Sequence, residues 1–335
     1  MSYSDYLDKW IKEYGEFELD ADTIYGYKKL IRLHIKPELG KYKLNTLVHE
    51  ILQNFIKKKF DEGFSRNTLS VMKSIINGSL NYAVFPLKYI AFNPGANVKL
   101  PSKNSITNTP TRGKKRFIIP DEVIELIFNR FPKESSAHIH SCFGYYCGMR
   151  QGECFTVDLD KDIDFENKIL HLRHQLQFIN NFWTIKPPKY NSIRDIDLNN
   201  KIIQLLLNEK ERQNKNRENY EESYKQLKLN EKGQLNYVEG KNIRLSTMRE
   251  NGEFLSLRIL QHVGRVIHYE KGIEYKDYDF HSLRYKHTRF LLANGADLKY
   301  VQMRLGHKSI KATLEIYYKL TDEIRENNKK FIEML

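Results

Sequence analysis

Apolar side chains recur at helical spacing through almost all of residues 3–100. Four runs are separated by helix-ending or helix-starting residues: Pro37 and Gly40, then Asn45, then Gly63 and the N-cap Ser65. The runs comprise Tyr6, Trp10 and Ile11; Ile24, Tyr27, Leu30, Ile31 and His34; Ile51, Phe55 and Phe60; and Val71, Ile75, Ile76, Leu80 and Ala83. This pattern predicts a small helical bundle.

The periodic pattern stops in residues 101–116, where Pro, Ser, Thr, Asn and Gly are mixed with basic residues. Such a composition is typical of a linker. We therefore expect two domains, at residues 1–100 and 117–335, joined by a basic linker at residues 101–116.

Residues 117–335 combine helical and strand-like patterns. A helix is expected from Asp121, and another from Ser135 to Cys147, where Gly148 ends it. Between residues 162 and 198 the apolar period shortens, which predicts a small three-stranded antiparallel sheet with residues 187–192 as an exposed hairpin tip. A charged helix after residue 199 and a helix over Ser256–Tyr269 follow. The prediction is a mainly α protein with an α+β second domain.

The chain carries 55 Lys and Arg against 42 Asp and Glu, a formal net charge of +13. This excess favours a polyanionic partner such as nucleic acid, although lysines on solvated helix faces would also produce it. The candidates for DNA contact in the first domain are Lys28, Lys29, Arg66 and Lys73.

Three cysteines, Cys142, Cys147 and Cys154, lack CxxC spacing, which favours buried thiols over disulfides or a zinc site. The sequence contains no apolar run of the ~20 residues that cross a bilayer, and its first residues do not resemble a signal peptide. We expect a cytoplasmic protein that uses neither a metal nor a cofactor.

Several chemically active side chains stand at spacings that packing alone does not require. Arg150 follows a helix-ending glycine, and taken alone it would simply pair with Glu153. His281 and Arg284 share one side of a helical turn, and His307 follows Leu305-Gly306.

Ten residues after His307 comes a pair of tyrosines, Tyr317 and Tyr318. Two guanidinium groups, two imidazoles, a lysine and a tyrosine suit phosphoryl transfer on a nucleic acid without a metal ion. The guanidinium groups would hold the phosphate and neutralise the transition state, and the tyrosine would attack.

These residues resemble the motifs of the tyrosine recombinases, the phage integrase family. The four matching stretches are Gly148–Glu153, His281–Arg284, Leu305–His307 and Thr313–Tyr317. Tyr285 stands where the family usually has histidine, a position that packs rather than reacts. Residues 34–40 and Asn93-Pro94 resemble the family's helical core-binding domain. The resemblance implies a SAM-like core-binding domain and a catalytic domain that form a C-shaped clamp around DNA.

The resemblance also implies a role for each matching residue. Arg150 and Arg284 would clamp the scissile phosphate, with Glu153 orienting Arg150. His281 and His307 would hydrogen-bond the phosphate and assist proton transfer. The spacing from His307 selects Tyr317 as the nucleophile that forms a 3′-phosphotyrosyl bond.

The general-acid lysine of the family would be Lys189, with Lys186 as the alternative and a plain phosphate contact as a third interpretation. Here Lys189 lies one residue closer than usual to a Ser-x-Arg segment, and Tyr190 replaces threonine. Arg194, the arginine of that segment, would contact DNA.

The implied partners are double-stranded DNA, a homo-tetramer formed from free monomers at synapsis, and an accessory directionality factor. The amphipathic tail, with Ile324, Phe331, Ile332 and Leu335, would pack on a neighbouring protomer or on its own domain. The chain begins too close to Tyr6-Leu7 to leave room for the arm-binding domain of many integrases, so we expect either a simple recombinase without that domain or a shortened chain. The rival functions are a type IB topoisomerase and a DNA-binding regulator with an inactive site.

Overall fold

The computed structural model describes residues 1–102, 119–179, 181–272, 278–317 and 329. The chain divides into two compact units, Met1–Lys115 and Arg116–Leu335. The expected linker at residues 101–116 lies almost entirely outside the described residues. Tyr318 and the expected tail helix, apart from Lys329, also lie outside them.

The first unit is helical, as the apolar spacing predicts. Its helices are α1 (Tyr3–Trp10), which continues as a π-helical segment (Ile11–Gly15); α2 (Ala21–Leu30), which continues through Ile31–Ile35 to Lys36–Leu39; α3 (His49–Asp61); and α4 (Arg66–Val84). Ser65 caps α4, because its hydroxyl accepts a hydrogen bond from the amide of Thr68. Helix α3 begins at His49 rather than at Asn45, because Leu44–Thr46 forms a separate 3-10 turn.

Aromatic side chains of α1 fasten it to α4. The hydroxyl of Tyr6 donates to the carbonyl of Ser79 at 2.6 Å, and the hydroxyls of Tyr3 and Ser79 lie 2.9 Å apart. All three side chains are buried in the apolar core of this unit. These bonds hold α1 against α4 in the core of the bundle, and Lys59 is a lysine of this unit that is buried, paired with Glu38 and Glu62.

The second unit has eight helices among its described residues. They are α5 (Asp121–Arg130), α6 (Ser136–Cys147), α7 (Gln151–Cys154), α8 (Asn200–Tyr220), α9 (Arg258–Lys271), α10 (His281–Ala293), α11 (Leu298–Leu305) and α12 (Ile310–Tyr317). Ser135 caps α6 and Gly148 ends it in the left-handed conformation, as predicted. The mainly helical class with small antiparallel sheets is confirmed.

The strands between residues 163 and 197 form two antiparallel sheets. One has three strands in the order β1 (Ile163–Asp164), β2 (Ile169–Leu172) and β5 (Arg194–Asp197). The other is a hairpin of β3 (Gln175–Ile179) and β4 (Phe182–Lys186).

Residues 187–192 are not a hairpin tip, which corrects the prediction from the sequence. They connect β4 to β5, and these strands belong to different sheets. Pro187 and Pro188 supply no amide hydrogen for a ladder. Lys189–Asn191 then forms a short turn in which Tyr190 and Asn191 have positive φ angles of 60° and 49°. The exposure of Lys189, Tyr190 and Asn191 is as predicted.

A third small sheet was not predicted. It pairs β6 (Lys228–Leu229) with β7 (Leu235–Asn236) and β8 (Lys241–Asn242). Each strand has two residues, too few to produce an alternating pattern. Within the described part of the chain, no helix is both long and apolar enough to cross a membrane.

The second unit has two apolar clusters. The larger one joins α5–α10 to the sheets, and its members include all three cysteines, which are free and buried. The smaller one contains Tyr285, Leu292, Val301, Leu305 and Ile316. Tyr285 is therefore a packing residue, as expected, and its cluster holds α10, α11 and α12 together.

Candidate active site

Gly148 brings the end of α6 close to α10 and α11. Its φ is +64°, and an added Cβ would lie 2.6 Å from Cδ2 of His287 and 2.9 Å from a methyl carbon of Leu305. Only glycine avoids both the unfavourable conformation and these collisions. The tight approach places Arg150, two residues later, beside the end of α11.

Arg284 lies at the base of this junction. Its side chain is almost fully buried, and its two terminal nitrogens donate to the carbonyls of Gly148 and Leu305, both at 2.5 Å. Burial and the neighbouring charge of Arg150 lower the pKa of Arg284 to about 9. The group remains protonated at pH 7, in surroundings that an anion would stabilise.

Arg150 also binds the end of α11, at the carbonyl next to the one that Arg284 binds. Its Nη2 donates to the carbonyl of Gly306 at 2.6 Å, and its Nη1 donates to Glu153 at 2.7 Å and to the hydroxyl of Ser192 at 3.1 Å. Two consecutive carbonyls, those of Leu305 and Gly306, thus each accept from one arginine. The structure brings Arg150 and Arg284 together, although 133 residues separate them in sequence.

Glu153 is completely buried beneath Arg150. Besides the side chain and amide of Arg150, it accepts two bonds from Arg194, at 3.1 and 2.8 Å. Burial alone would raise the pKa of Glu153, but the hydrogen bonds from Arg194 and the charges of Arg194, Arg150 and Arg284 lower it to about 2. The carboxylate is therefore ionised at pH 7, and it accepts hydrogen bonds from both the amide and the guanidinium of Arg150.

Arg194 does not lie where the sequence suggested. Its guanidinium is buried and donates to Glu153, to the carbonyl of Ser192 and to the carbonyl of Arg304. These bonds direct the group into the domain, so we assign Arg194 to the interior of the site rather than to DNA contact.

His307 follows the left-handed Gly306 that ends α11. Its Nδ1 lies 2.9 Å from the hydroxyl of the fully buried Thr313, which fixes the plane of the imidazole ring. Tyr317 is four residues after Thr313 and is the last residue of α12. The backbone of Tyr317 is described, whereas its side chain lies outside the described atoms.

The remaining candidates border this cluster. His281 is exposed at the first turn of α10, three residues before Arg284. Lys189 is exposed on the turn that Ser192 ties to Arg150, whereas Lys186 is half-buried at the end of β4. The ammonium of Lys308 lies 5.3 Å from the ring centre of Tyr190, which adds a second link between this turn and the His307 segment.

Two supporting residues were missed in the sequence. His287 is buried between the carbonyl of Tyr145, 2.9 Å from its Nδ1, and Arg304, whose Nε donates to its Nε2 at 3.2 Å. Burial and the charge of Arg304 lower the pKa of His287 to about 3, so it is neutral at pH 7. The pair joins α10 to α11. The three-residue spacing of His281, Arg284 and His287 marks a shared helix side, but nothing in the sequence marks Arg304.

The four DNA-contact candidates of the first unit occupy different surroundings. Lys28, Lys29 and Arg66 are exposed, and Lys73 is half-buried. Lys28 forms an ion pair with Glu16 at 3.1 Å, and Nε of Arg66 donates to the carbonyl of Pro101 at 3.0 Å.

This arrangement provides a pre-formed anion site. Arg150, Arg194 and Arg284 carry three positive charges against one negative charge on Glu153, a net charge of +2. Among the described residues, no group of three His, Cys, Asp or Glu side chains is placed to hold a metal ion. The chemistry that these side chains offer is the binding of a phosphate by guanidinium groups.

Comparisons with known proteins identify the family of the chain. The model of the phage integrase family matches residues 118–323, and that of the phage integrase N-terminal SAM-like domain matches residues 2–60. A tyrosine recombinase XerC-like protein of Caldanaerobacter subterraneus subsp. tengcongensis is 26% identical over 341 residues, which cover 95% of this chain and 79% of that protein. The ICEBs1 integrase of Bacillus subtilis is 24% identical over 312 residues, with 90% and 75% covered.

The fold is also that of a solved integrase. The Tn1549 transposon integrase in complex with transposon right end DNA superposes with a TM-score of 0.73 at 19% identity, covering 98% of this chain and 99% of that one. Together with the family match over most of the second unit, this confirms the resemblance inferred from the motifs. The chain belongs to the phage integrase family, and it is a tyrosine recombinase, an enzyme that cuts and rejoins DNA.

Proposed function

We propose that this recombinase integrates or excises a mobile element or phage by exchanging DNA strands at specific sites, with Arg150, Arg284, His281, His307, Lys189 and Tyr317 as its catalytic residues. The observation that carries the proposal is the pairing of Arg150 and Arg284 on the consecutive carbonyls of Gly306 and Leu305, directly before His307. The scissile phosphate would take over part of these bonds, because a phosphate oxygen is a stronger acceptor than a neutral carbonyl.

In the cleavage step Tyr317 gives its phenolic proton to His281 or His307, its oxygen attacks the phosphorus, and the bond from phosphorus to the 5′ oxygen breaks. Only about one tyrosine in a thousand is ionised at pH 7, a deficit of roughly 4 kcal/mol. The net positive charge of the arginine cluster stabilises the ionised tyrosine and the transition state, which carries roughly two negative charges. His307, held by Thr313, and His281 hydrogen-bond the phosphate. Lys189 gives its proton to the leaving 5′ oxygen.

The partner in this proposal is double-stranded DNA, and both units bind it. Protomers that are monomeric when free assemble as a tetramer at synapsis, and an accessory factor sets the direction. The enzyme acts in the cytoplasm on the element that encodes it.

The test uses a nicked suicide duplex taken from the ends of that element, on which cleavage traps the covalent adduct. Wild-type protein should form the adduct, and Tyr317→Phe should bind the duplex equally well without forming any. Tyr318→Phe is the matched control and should retain adduct formation. Specific binding by wild type without an adduct would contradict the proposal, and loss of the adduct only in Tyr318→Phe would move the nucleophile.

A further inference from the structure

Glu153 accepts hydrogen bonds from two arginines. Arg194 binds it with two nitrogens, whereas Arg150 binds it with only one side-chain nitrogen. Nη1 and Nη2 of Arg194 bond to Oε1 and Oε2 of Glu153 at 3.1 and 2.8 Å, in a two-pronged arrangement. Arg150 reaches the same carboxylate with a single side-chain nitrogen, Nη1, at 2.7 Å. Its other terminal nitrogen is directed to the carbonyl of Gly306.

Arg194 also ties together the segments that carry the reacting groups. Its Nε donates to the carbonyl of Arg304 at 2.7 Å, three residues before His307. Its Nη1 donates to the carbonyl of Ser192 at 3.1 Å, at the end of the Lys189 turn. Through Glu153 it reaches the start of α7, where Arg150 lies. One buried side chain thus contacts the supports of Arg150, Lys189 and His307.

Close packing around the Arg194 guanidinium restricts the positions of Gly306 and Ser192. A Cβ on Gly306 would lie 2.9 Å from Nη1 of Arg194 and 2.9 Å from Cβ of Ser192. The left-handed glycine before His307 is therefore packed directly against the guanidinium, and the hydroxyl of Ser192 accepts from Arg150 at 3.1 Å. A shift of Arg194 would be transmitted to both neighbours.

We propose that Arg194 is a positioning residue for DNA cleavage. Its two hydrogen bonds to Glu153 weaken the attraction between that carboxylate and Arg150. The Arg150 guanidinium therefore stays available to bind the scissile phosphate. This inference rests on the proposed function. Without Arg194, the buried carboxylate would have Arg150 as its nearest remaining cation and would draw its guanidinium inward. The Lys189 turn and the His307 segment would lose their common anchor at the same time.

The experiment measures adduct formation on the nicked suicide duplex, binding to the same duplex, and thermal stability. The variants are Arg194→Gln, Arg194→Lys and the double variant Arg194→Gln/Glu153→Gln. The matched control is Arg212→Gln. Arg212 also makes a two-pronged pair with a buried carboxylate, that of Glu209, with both bonds at 2.8 Å, and it donates further to the carbonyl of Met248, away from the site residues.

We expect Arg194→Gln to bind DNA within about 3-fold of wild type but to form the adduct on the order of 100-fold more slowly, as displaced catalytic groups do. Arg194→Lys should recover part of the rate. The double variant should cleave faster than Arg194→Gln, because it leaves no unpaired buried carboxylate to capture Arg150. Arg212→Gln should also lose stability but cleave at the wild-type rate.

Three results would overturn the inference. Wild-type cleavage by Arg194→Gln would show that the contact has no positioning role. Weaker DNA binding in proportion to slower cleavage would make Arg194 a DNA contact after all. A double variant no faster than Arg194→Gln would show that Arg194 does not act through Glu153. If wild type itself forms no adduct, the proposed function fails, and that outcome is visible in the same assay.

Discussion

Glu153 and Glu209 are both buried carboxylates paired with arginine, yet their surroundings shift their pKa values in opposite directions. Three guanidinium groups near Glu153 outweigh the effect of burial and lower its pKa to about 2. At Glu209 burial prevails and raises the pKa, although Arg212 and Gln213 donate hydrogen bonds to it. The two pairs therefore contribute differently to stability as pH changes.

The folded-state pKa of Glu153 lies below its ordinary value of 4.5, so its stabilisation is present above pH 4.5 and is lost as pH falls toward 2. Glu153→Gln should lower the free energy of unfolding by about 3 kcal/mol at pH 7, and the deficit should shrink below pH 4.5. Urea unfolding between pH 7 and pH 3 measures it.

Glu209→Gln is the control for that experiment. Because the folded-state pKa of Glu209 is raised, its favourable contribution is present below pH 4.5 and is lost as pH rises through the folded value. Its deficit should therefore grow as pH falls, the reverse of Glu153→Gln. A Glu153→Gln deficit that is the same at pH 7 and pH 3 would contradict the assignment of an ionised, stabilising carboxylate.

At the residue scale, motif spacing predicted which side chains meet but not which way each one faces. The structure brings Arg150 and Arg284 to the segment just before His307, and the left-handed Gly148 and Gly306 stand two residues before Arg150 and one before His307. The motif resemblance implies DNA contact for Arg194. However, Arg194 stands two and four residues before the buried Ile196 and Leu198, which is the spacing of one face of a strand. That alternation was the available signal, and a charged residue at a buried strand position needs a partner such as Glu153.

At the element scale, the turn Lys189–Asn191 is where the sequence was least informative. Helix caps depend on one or two residues, so Ser65, Ser135 and Gly148 could be recognised. The connection from β4 to β5 depends on which strands pair, and pairing is decided by contacts far apart in sequence. The same applies to the two-residue strands β6–β8. The turn nevertheless has the exposure that a proton donor to DNA requires.

Lys189→Ala should slow cleavage of an ordinary duplex by about 100-fold or more, because the leaving 5′ oxygen then lacks its proton donor. A 5′-thio leaving group needs no proton, so it should restore the rate. Lys186→Ala is the matched control, since Lys186 is half-buried at the end of β4 and should be dispensable. The opposite pattern would transfer the role to Lys186. Failure of the thio substrate to rescue either variant would transfer it to His281 or His307.

At the scale of the whole molecule, the positive charge is unevenly divided. Residues 1–115 hold 19 Lys and Arg against 11 Asp and Glu, leaving 36 against 31 for residues 116–335. The net charges are thus +8 and +5, although the first unit is the smaller. Phosphate neutralisation by the first unit should therefore supply much of the salt-dependent affinity.

Lys29 tests this division of charge, because it is exposed on α2 and is not part of the cleavage site. If it neutralises one phosphate, Lys29→Gln should reduce the slope of log affinity against log salt by about 1 and weaken binding equally on specific and unrelated duplexes. Lys215→Gln is the control, because Lys215 is also exposed, lies on α8 and pairs with Glu211 at 2.7 Å. Binding titrations between about 50 and 200 mM salt give the slopes.

Equal slopes for both variants and wild type would mean that Lys29 contacts solvent rather than a phosphate. A smaller slope for Lys215→Gln alone would place the dominant phosphate contacts on the catalytic unit.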